Sequence, residues 1–316
     1  MHDRNSGTQN VNNSRRDFLR VVTSGSILAA TPAFAGDRHP ETDYTSEYGV
    51  LVDTTLCLGC RKCELACNQT NGLSDRPPNE FEDESVFREH RRPQPDAYTV
   101  VNTFTDPSEP GRRYTMKVQC MHCNDPACVS ACIVGALRKD PRGPVVYDPS
   151  RCIGCRYCLI SCPFQIPTYE YDDPMQPRVR KCTFCFDRLT NKGELPACVA
   201  VCPSGALRFG TRGELIEAAY TRMADAPDRY HHHLYGEHEI GGTSWMYLAP
   251  AEFENTELPD LGTGPIPDLT ESIQHGLFKS FIPPVLLYGL LGLIMHSLRN
   301  ANGEHDSDHD QSRTPQ

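Results

Sequence analysis

Cysteine is missing from most of this chain, and its distribution is informative. The chain has 316 residues, and all 16 cysteines lie between residues 57 and 202, so that the last 114 residues contain none. Cysteines that only filled a core would be scattered. Their confinement therefore indicates a module that carries a chemical site. The length allows one or two domains.

Basic charge is also scarce. Lysine and arginine number 31 against 41 aspartates and glutamates, which gives a formal net charge of −10. Removal of residues 1–35 as a leader would change this charge to −12. An acidic protein repels phosphates, so a nucleic-acid partner is not expected. The chain also lacks a nucleophile–base or substrate-pocket motif, which predicts a non-catalytic subunit with no turnover alone.

Long apolar runs are few, and one of them begins near the N-terminus. It follows Arg15 and Arg16, and it ends in a small-residue pattern at Ala35. This pattern predicts a twin-arginine signal peptide, residues 1–35. A short basic helix of the folded protein is the alternative. Twin-arginine export carries folded proteins, which suits cofactors that are assembled in the cytoplasm.

The other apolar run lies near the C-terminus. Residues 281–298 contain 18 residues without Asp, Glu, Lys or Arg. At about 1.5 Å per residue they span roughly 27 Å, the short end of a transmembrane helix. The prediction is a single-pass anchor, 276–299, with a cytoplasmic tail, 300–316, and the preceding residues on the periplasmic side of the bacterial inner membrane. A buried core helix is the alternative.

The cysteines form four quartets. The first and third have the spacing C-x2-C-x2-C-x3-C, the second C-x2-C-x4-C-x3-C, and the fourth C-x2-C-x12-C-x3-C. In order, they are Cys57, Cys60, Cys63, Cys67, Cys120, Cys123, Cys128, Cys132, Cys152, Cys155, Cys158, Cys162, Cys182, Cys185, Cys198 and Cys202. In bacterial ferredoxins, three thiolates of such a run bind one [4Fe–4S] cluster and the fourth binds a neighbouring cluster. Sixteen ligands therefore predict four [4Fe–4S] clusters.

Disulfide bonds and zinc binding are the two alternatives to iron–sulfur clusters. Disulfides are plausible in an exported protein, but the first three cysteines of a C-x2-C-x2-C run are too crowded to pair well with one another. Zinc accepts four thiolates, but its usual paired C-x2-C units do not carry the third and fourth cysteines of this run. Iron–sulfur clusters are the favoured interpretation.

The quartets are part of a tandem repeat of order A, B, A, B. Residues 52–60 resemble 147–155, and 126–132 resemble 196–202. Runs with β propensity flank the quartets at 48–52, 114–118, 136–138, 145–147, 178–180 and 206–209. The repeat predicts an α+β fold with two pseudo-symmetric ferredoxin-like modules. The predicted domain spans 36–215, with a surface insertion at 68–112 and a peripheral extension or linker at 216–275.

The quartets resemble those of the four-cluster electron-transfer subunits of membrane-bound respiratory oxidoreductases, including formate dehydrogenase and dimethyl sulfoxide reductase. The likeness is strongest to the hydrogenase branch, the electron-transfer subunit of [NiFe]-hydrogenase 2. It rests on the leader, the anchor and residues 119–123, 234–237, 241–243 and 272–275. Ile133 departs from the family pattern, in which proline usually follows the last cysteine of the second quartet.

The resemblance implies which cysteines share a cluster, a question that the spacing alone leaves open. The first quartet exchanges its last cysteine with the fourth, and the second with the third. The implied sets are Cys57, Cys60, Cys63 and Cys202; Cys67, Cys182, Cys185 and Cys198; Cys120, Cys123, Cys128 and Cys162; and Cys132, Cys152, Cys155 and Cys158.

The resemblance also implies partners. Electrons would pass between a periplasmic [NiFe] hydrogenase, with its small and large subunits, and a polytopic quinone-reactive membrane subunit. A molybdopterin formate dehydrogenase or reductase is an alternative partner. An alternative of another class is a non-redox metal-binding structural protein.

Several smaller features have two interpretations each. Basic residues beside the quartets either raise cluster potentials or are solvated charges; they are Arg61, Lys62, Arg151, Arg156 and Lys181. His231, His232 and His233 form either a metal site or an exposed polar loop. His275 and His296 either bind haem or quinone or are interfacial residues. Trp245, the single tryptophan, is expected in the core.

Overall fold

The structure is a computed structural model that describes residues 43–106, 109, 111–173, 178–267 and 288–297. The predicted leader, the predicted tail and His275 lie outside the described residues. The chain divides into two compact units, one of residues 39–271 and the other of residues 1–38 and 272–316. In the second unit residues 288–297 form a helix with exposed side chains, which includes His296. Among the described residues, no helix has the length and apolarity needed to cross a membrane.

The larger unit mixes strands and short helices, which confirms the α+β class. Its strands are β1 Tyr48–Asp53, β2 Thr99–Thr105, β3 Arg113–Gln119, β4 Leu137–Lys139, β5 Val145–Tyr147, β6 Thr168–Tyr169, β7 Val179–Arg180, β8 Leu207–Thr211 and β9 Trp245–Leu248. Its α-helices are α1 Lys62–Asn71, α2 Ala127–Ser130, α3 Tyr157–Ser161, α4 Ala197–Ala200 and α5 Arg212–Asp225. Short 3₁₀ helices are Pro78–Glu82, Glu84–Arg88, Glu239–Gly241 and Phe253–Asn255, and Arg188–Lys192 is a π-helix. The six predicted β-prone runs correspond to β1, β3, β4, β5, β7 and β8.

The sheet pairing follows the internal repeat. β1 pairs antiparallel with β8, with Val52 opposite Leu207, and β5 pairs antiparallel with β4, with Tyr147 opposite Leu137. Val52 and Tyr147 occupy equivalent repeat positions, and so do the two leucines. The first repeat unit therefore joins the fourth, and the second joins the third. This arrangement brings distant quartets together in two pseudo-symmetric halves.

Part of the predicted surface insertion, 68–112, is buried structure instead. β2 pairs with β3 along its whole length. Its residues Val100, Val101 and Phe104 are buried. The polar composition of the flanking segment, which forms the two 3₁₀ helices after α1, obscured this seven-residue strand.

The predicted peripheral extension, 216–275, also contains central structure. β9 pairs in parallel with β1, in a three-stranded sheet of order β8-β1-β9. All four of its side chains are fully buried, which confirms Trp245 as a core residue. A short continuous apolar run is typical of a buried strand, but four residues are too few to stand out from sequence alone.

The backbone at Gly236 packs closely against β9. Its replacement tests the packing of this part of the fold. It has φ +93°, and a Cβ there would lie 2.5 Å from both the Thr243 hydroxyl and the Trp245 carbonyl oxygen. Gly236→Ala is expected to lower the free energy of unfolding by more than about 1 kcal/mol. The positive φ disfavours a residue with a Cβ, and the added methyl group would clash with both oxygen atoms. Gly264, with open space around it, is the matched control, and its alanine variant should stay within about 0.5 kcal/mol of the parent. Equal denaturant midpoints for the two variants would contradict this packing.

Candidate iron–sulfur site

The first and third quartets lie on the same type of turn. Gly59 and Gly154 have φ +68° and +70°, and Arg61 and Arg156 have φ 54° and 61°. These left-handed residues wind the chain tightly before α1 and α3 begin. A Cβ at Gly154 would lie 2.5 Å from the Tyr169 hydroxyl, so the turn requires glycine there. The first two cysteines of each run thus stay on the loop and the third is on the helix. The fourth is also on the helix in the first quartet (Cys67), whereas Cys162 directly follows the end of α3.

The second and fourth quartets share a different turn. Pro126 and Pro196 precede the four-residue helices α2 and α4. Each proline carbonyl accepts a hydrogen bond from the N–H three residues later, Val129 or Val199, at 2.9 Å in both cases. The third cysteine of each quartet is on this helix, and the fourth follows its end.

Three cavities are each bordered by four cysteines. Site I has Cys57, Cys60, Cys63 and Cys202; site II has Cys67, Cys182, Cys185 and Cys198; site IV has Cys132, Cys152, Cys155 and Cys158.

The remaining four cysteines, here site III, are Cys120, Cys123, Cys128 and Cys162. Burial raises the pKa of the Cys123 thiol well above its ordinary value, and the neighbouring Cys128, Cys162 and Cys120 raise it further. The structure therefore brings together the same four sets that the family resemblance implied. The cause is the long-range pairing of β1 with β8 and the local hairpin pairing of β4 with β5.

The four sets differ from sites for a single ion. Among the described residues, no three side chains of His, Cys, Asp or Glu are placed to hold one metal ion. Zinc needs its sulfur ligands about 2.3 Å from one centre, whereas these thiols surround cavities. All sixteen thiols are free of disulfide bonds. The donor set and its spacing fit a polynuclear cluster.

The surroundings of the sulfurs also fit a cluster. Site II is bordered by Trp245, whose buried indole N–H has no hydrogen-bond partner among the described residues. Backbone N–H groups point at sulfur as well: Ala136 lies 3.2 Å from Cys132 Sγ, and Phe184 lies 3.4 Å from Cys182 Sγ. Donors of this kind stabilise cluster sulfurs and raise the reduction potential. Burial raises the pKa of Cys182 to about 12, so its thiolate needs a cationic partner such as iron.

Neighbouring sites lie close enough for their thiols to interact. The thiol of Cys63 in site I interacts electrostatically with that of Cys198 in site II. Site II is linked in the same way to site III through Cys182 and Cys120. Sites III and IV are linked by Cys128 and Cys158. The order is therefore I, II, III, IV.

Only the two outer sites reach the surface through a cysteine. Of the sixteen cysteines, Cys60 of site I and Cys155 of site IV are exposed, and the other fourteen are buried or half-buried. Sites II and III thus have no exposed cysteine, whereas sites I and IV each have one cysteine at the protein surface.

The predicted basic residues divide into two groups. Lys62, Arg151 and Arg156 are exposed, as expected of solvated charges. Arg61 and Lys181 are buried. Arg61 forms an ion pair with Glu64 at 3.0 Å, and the Lys181 ammonium donates to the Val145 carbonyl at 2.6 Å.

Sequence reasoning missed Lys117. This residue is 2% exposed and borders the cavities of both site I and site II. Its ammonium lies 4.5 Å from the centre of the Trp245 ring. The available signal was a lysine inside the β-prone run 114–118, just before the second quartet.

The histidine cluster has an ordinary surface setting. His231 is half-buried and His232 is exposed. The ring of His233 contacts the Glu239 carboxylate, with Nε2 and Oε1 2.7 Å apart. This setting agrees with the polar-loop interpretation.

Comparisons with known proteins agree with this architecture. A family described as a 4Fe-4S dicluster domain matches residues 113–212. A protein of Nitratidesulfovibrio vulgaris (strain Hildenborough) is 45% identical over 284 residues, covering 87% of this chain and 75% of the relative. Hydrogenase-2 operon protein HybA of Escherichia coli O157:H7 is 36% identical over 339 residues, covering 94% and 99%. The nitrate-inducible formate dehydrogenase iron-sulfur subunit of Escherichia coli K12 is 34% identical over 276 residues, covering 84% and 90%.

The matches extend well beyond the cysteine motifs into the flanking segments, at identities that establish common ancestry. The chain therefore belongs to the family of ferredoxin-like 4Fe–4S electron-transfer subunits that includes hydrogenase-2 operon protein HybA and the formate dehydrogenase iron-sulfur subunits.

Proposed function

We propose that the chain holds four [4Fe–4S] clusters, one at each of sites I to IV, and conducts single electrons between two partner proteins. The observation that carries this proposal is the linear order of the sites, with Cys60 and Cys155 exposed at its ends. When bound, the clusters supply one-electron redox chemistry with little rearrangement. The chain itself fixes their order and leaves one sulfur ligand of each outer site at the surface.

Each end of the line carries an apolar side chain beside its exposed cysteine. Leu58 and Ile153, at equivalent repeat positions, are 71% and 63% exposed. An exposed apolar side chain next to a redox centre favours burial against another protein. This feature supports a partner at each end.

The partners that we propose are a periplasmic [NiFe] hydrogenase and a polytopic quinone-reactive membrane subunit. The similarity to hydrogenase-2 operon protein HybA, over 94% of this chain, supports the first. A formate dehydrogenase is the second candidate, because an iron-sulfur subunit of that enzyme is 34% identical. The chain would lie on the periplasmic side of the inner membrane, exported by the twin-arginine pattern of residues 1–35 and anchored by the apolar run 281–298.

Purification of the intact complex from membranes in mild detergent tests composition and partners together. We expect about sixteen irons and as many acid-labile sulfides per chain in addition to those of the partner subunits, with hydrogenase subunits and a polytopic protein co-purifying. If a molybdopterin subunit co-purified in their place, the proposed electron path would stand and the catalytic partner would be a different enzyme. Iron-free chain, or bound metal that dithionite does not reduce, would support the non-redox alternative and contradict the proposal.

A further inference from the structure

Lys117 places a positive charge between two sites. It is on β3, and its side chain borders the cavities of site I and site II. The thiols that interact with it most strongly are Cys198 and Cys182 of site II and Cys63 of site I. It also acts on the other two thiols of site II, Cys67 and Cys185.

The Lys117 ammonium lacks a carboxylate partner. Among the described residues its hydrogen bond is to the Gln119 side-chain oxygen at 2.9 Å. The Gln119 amide is oriented by donating to the Tyr247 hydroxyl, which in turn donates to the Lys117 carbonyl at 3.0 Å. Lys139 is different, because the Glu47 carboxylate lies 2.9 Å from its amine. A buried ammonium costs several kcal/mol unless an anion compensates it.

The compensating anions available to Lys117 are the cysteine sulfurs. Each of the two cavities that the Lys117 side chain borders is lined by four cysteines. Thiolates that bind a cluster there would place negative charge beside the ammonium at both sites.

The repeat shows that this cation is not needed to build the fold. Lys117 stands three residues before Cys120, and the equivalent residue before Cys182 is Val179. Val179 is buried and borders the cavity of site IV. The same position is therefore charged in one half of the molecule and apolar in the other.

Building on the proposed function, we propose that Lys117 is a shared counter-cation of the clusters at sites I and II, which raises both reduction potentials together. Reduction makes a cluster more negative, so a nearby ammonium stabilises the reduced state. Because Lys117 contacts both sites, its attraction changes little when an electron moves from one to the other. Lys117 thereby keeps the free-energy change of electron transfer between the two clusters small. It acts as a positioning charge and not as an electron carrier.

The test is an EPR-monitored redox titration of the purified membrane complex with Lys117→Met, which keeps the length of the side chain and removes its charge. We expect the reduced-to-oxidised ratio of two of the four clusters to fall about tenfold or more at a fixed potential, which is about 59 mV for a one-electron step. The other two clusters, at sites III and IV, serve as internal references and should not shift. Lys117→Arg should keep the parental potentials, because it restores the charge.

Lys62→Met is the matched control. Lys62 also borders the cavity of site I, but it is exposed, so water and salt should limit its effect to about twofold. Equal shifts for the two methionine variants, or parental potentials in Lys117→Met at full iron content, would overturn the inference and leave the proposed function standing. A parent complex without about sixteen reducible irons would overturn the proposed function itself.

Discussion

Cys67→Ala is expected to disrupt site II, although Cys67 belongs by sequence to the quartet that supplies site I. The Cys67 thiol is buried in the middle of α1, and it borders the same cavity as Cys182, Cys185 and Cys198. Loss of this ligand should remove about four irons, or degrade one cluster, while the cluster beside Cys57 stays intact. Iron content and the EPR spectrum of the dithionite-reduced complex report the result.

Asn71→Ala is the control for this substitution. The Asn71 side-chain nitrogen lies 3.6 Å from Cys67 Sγ and also borders the site II cavity, but it is not a predicted ligand. This variant should keep its full iron content. The reciprocal variant, Cys202→Ala, should disrupt site I alone. If Cys67→Ala instead removed the site I cluster and spared site II, the assignment of cysteines to sites would be wrong.

Glu64→Ala is expected to lower the free energy of unfolding by about 3–5 kcal/mol. Glu64 lies on α1 between two cysteines, and its carboxylate is buried. It accepts hydrogen bonds from Arg61 at 3.0 Å, from Arg91 at 2.6 Å and from the backbone N–H of Val101 at 2.6 Å. Its removal leaves two guanidinium groups without their anion. It also removes the hydrogen bond between the Glu64 carboxylate and the Val101 N–H, which joins α1 to β2. Denaturant unfolding of the intact protein measures the loss.

The pair of Arg180 and Glu170 provides the comparison. The guanidinium nitrogen and the carboxylate oxygen are 2.9 Å apart, but each side chain is 26% exposed, so Glu170→Ala should cost only about 0–1 kcal/mol. A loss as large as that of Glu64→Ala would show that burial is not what makes the Glu64 network strong.

The same carboxylate should make stability depend on pH. Burial raises the pKa of Glu64, but the hydrogen bonds from Arg91 and Arg61 lower it by more, so the net pKa is below its ordinary value. The contribution to stability is therefore present above the pKa of the unfolded carboxyl, and it is lost as pH falls through the folded pKa. Parent protein should lose more stability on acidification below about pH 4 than Glu64→Gln does. Parallel acid-unfolding curves would count against this assignment.

Local sequence predicted the structure well where local forces decide it. The turn of the first and third quartets needs Gly59 and Gly154, and both are visible as part of the repeat. The strands beside the quartets were predicted from their β-branched and aromatic residues. The spacing left open which quartets share ligands, since that depends on which strands pair. The register of β1 with β8, more than 150 residues apart, decides it.

The features that sequence missed depend on tertiary contacts. β9 is only four residues long, and it is recognised as part of the core because the side chains on both of its faces are buried. In the sequence, Lys117 is an ordinary lysine inside a β-prone run. Its position between two sites follows from long-range contacts of β3, such as that of Lys117 with the ring of Trp245, which no local pattern encodes.

The central claim is that four one-electron centres lie in a line within this one chain. Spin quantification by EPR on the fully reduced intact complex tests it most directly. The account predicts about four unpaired-electron centres per chain in addition to those of the partner subunits, with signals broadened by magnetic interaction between neighbouring clusters. One or two sharp, non-interacting signals per chain at full occupancy would contradict it.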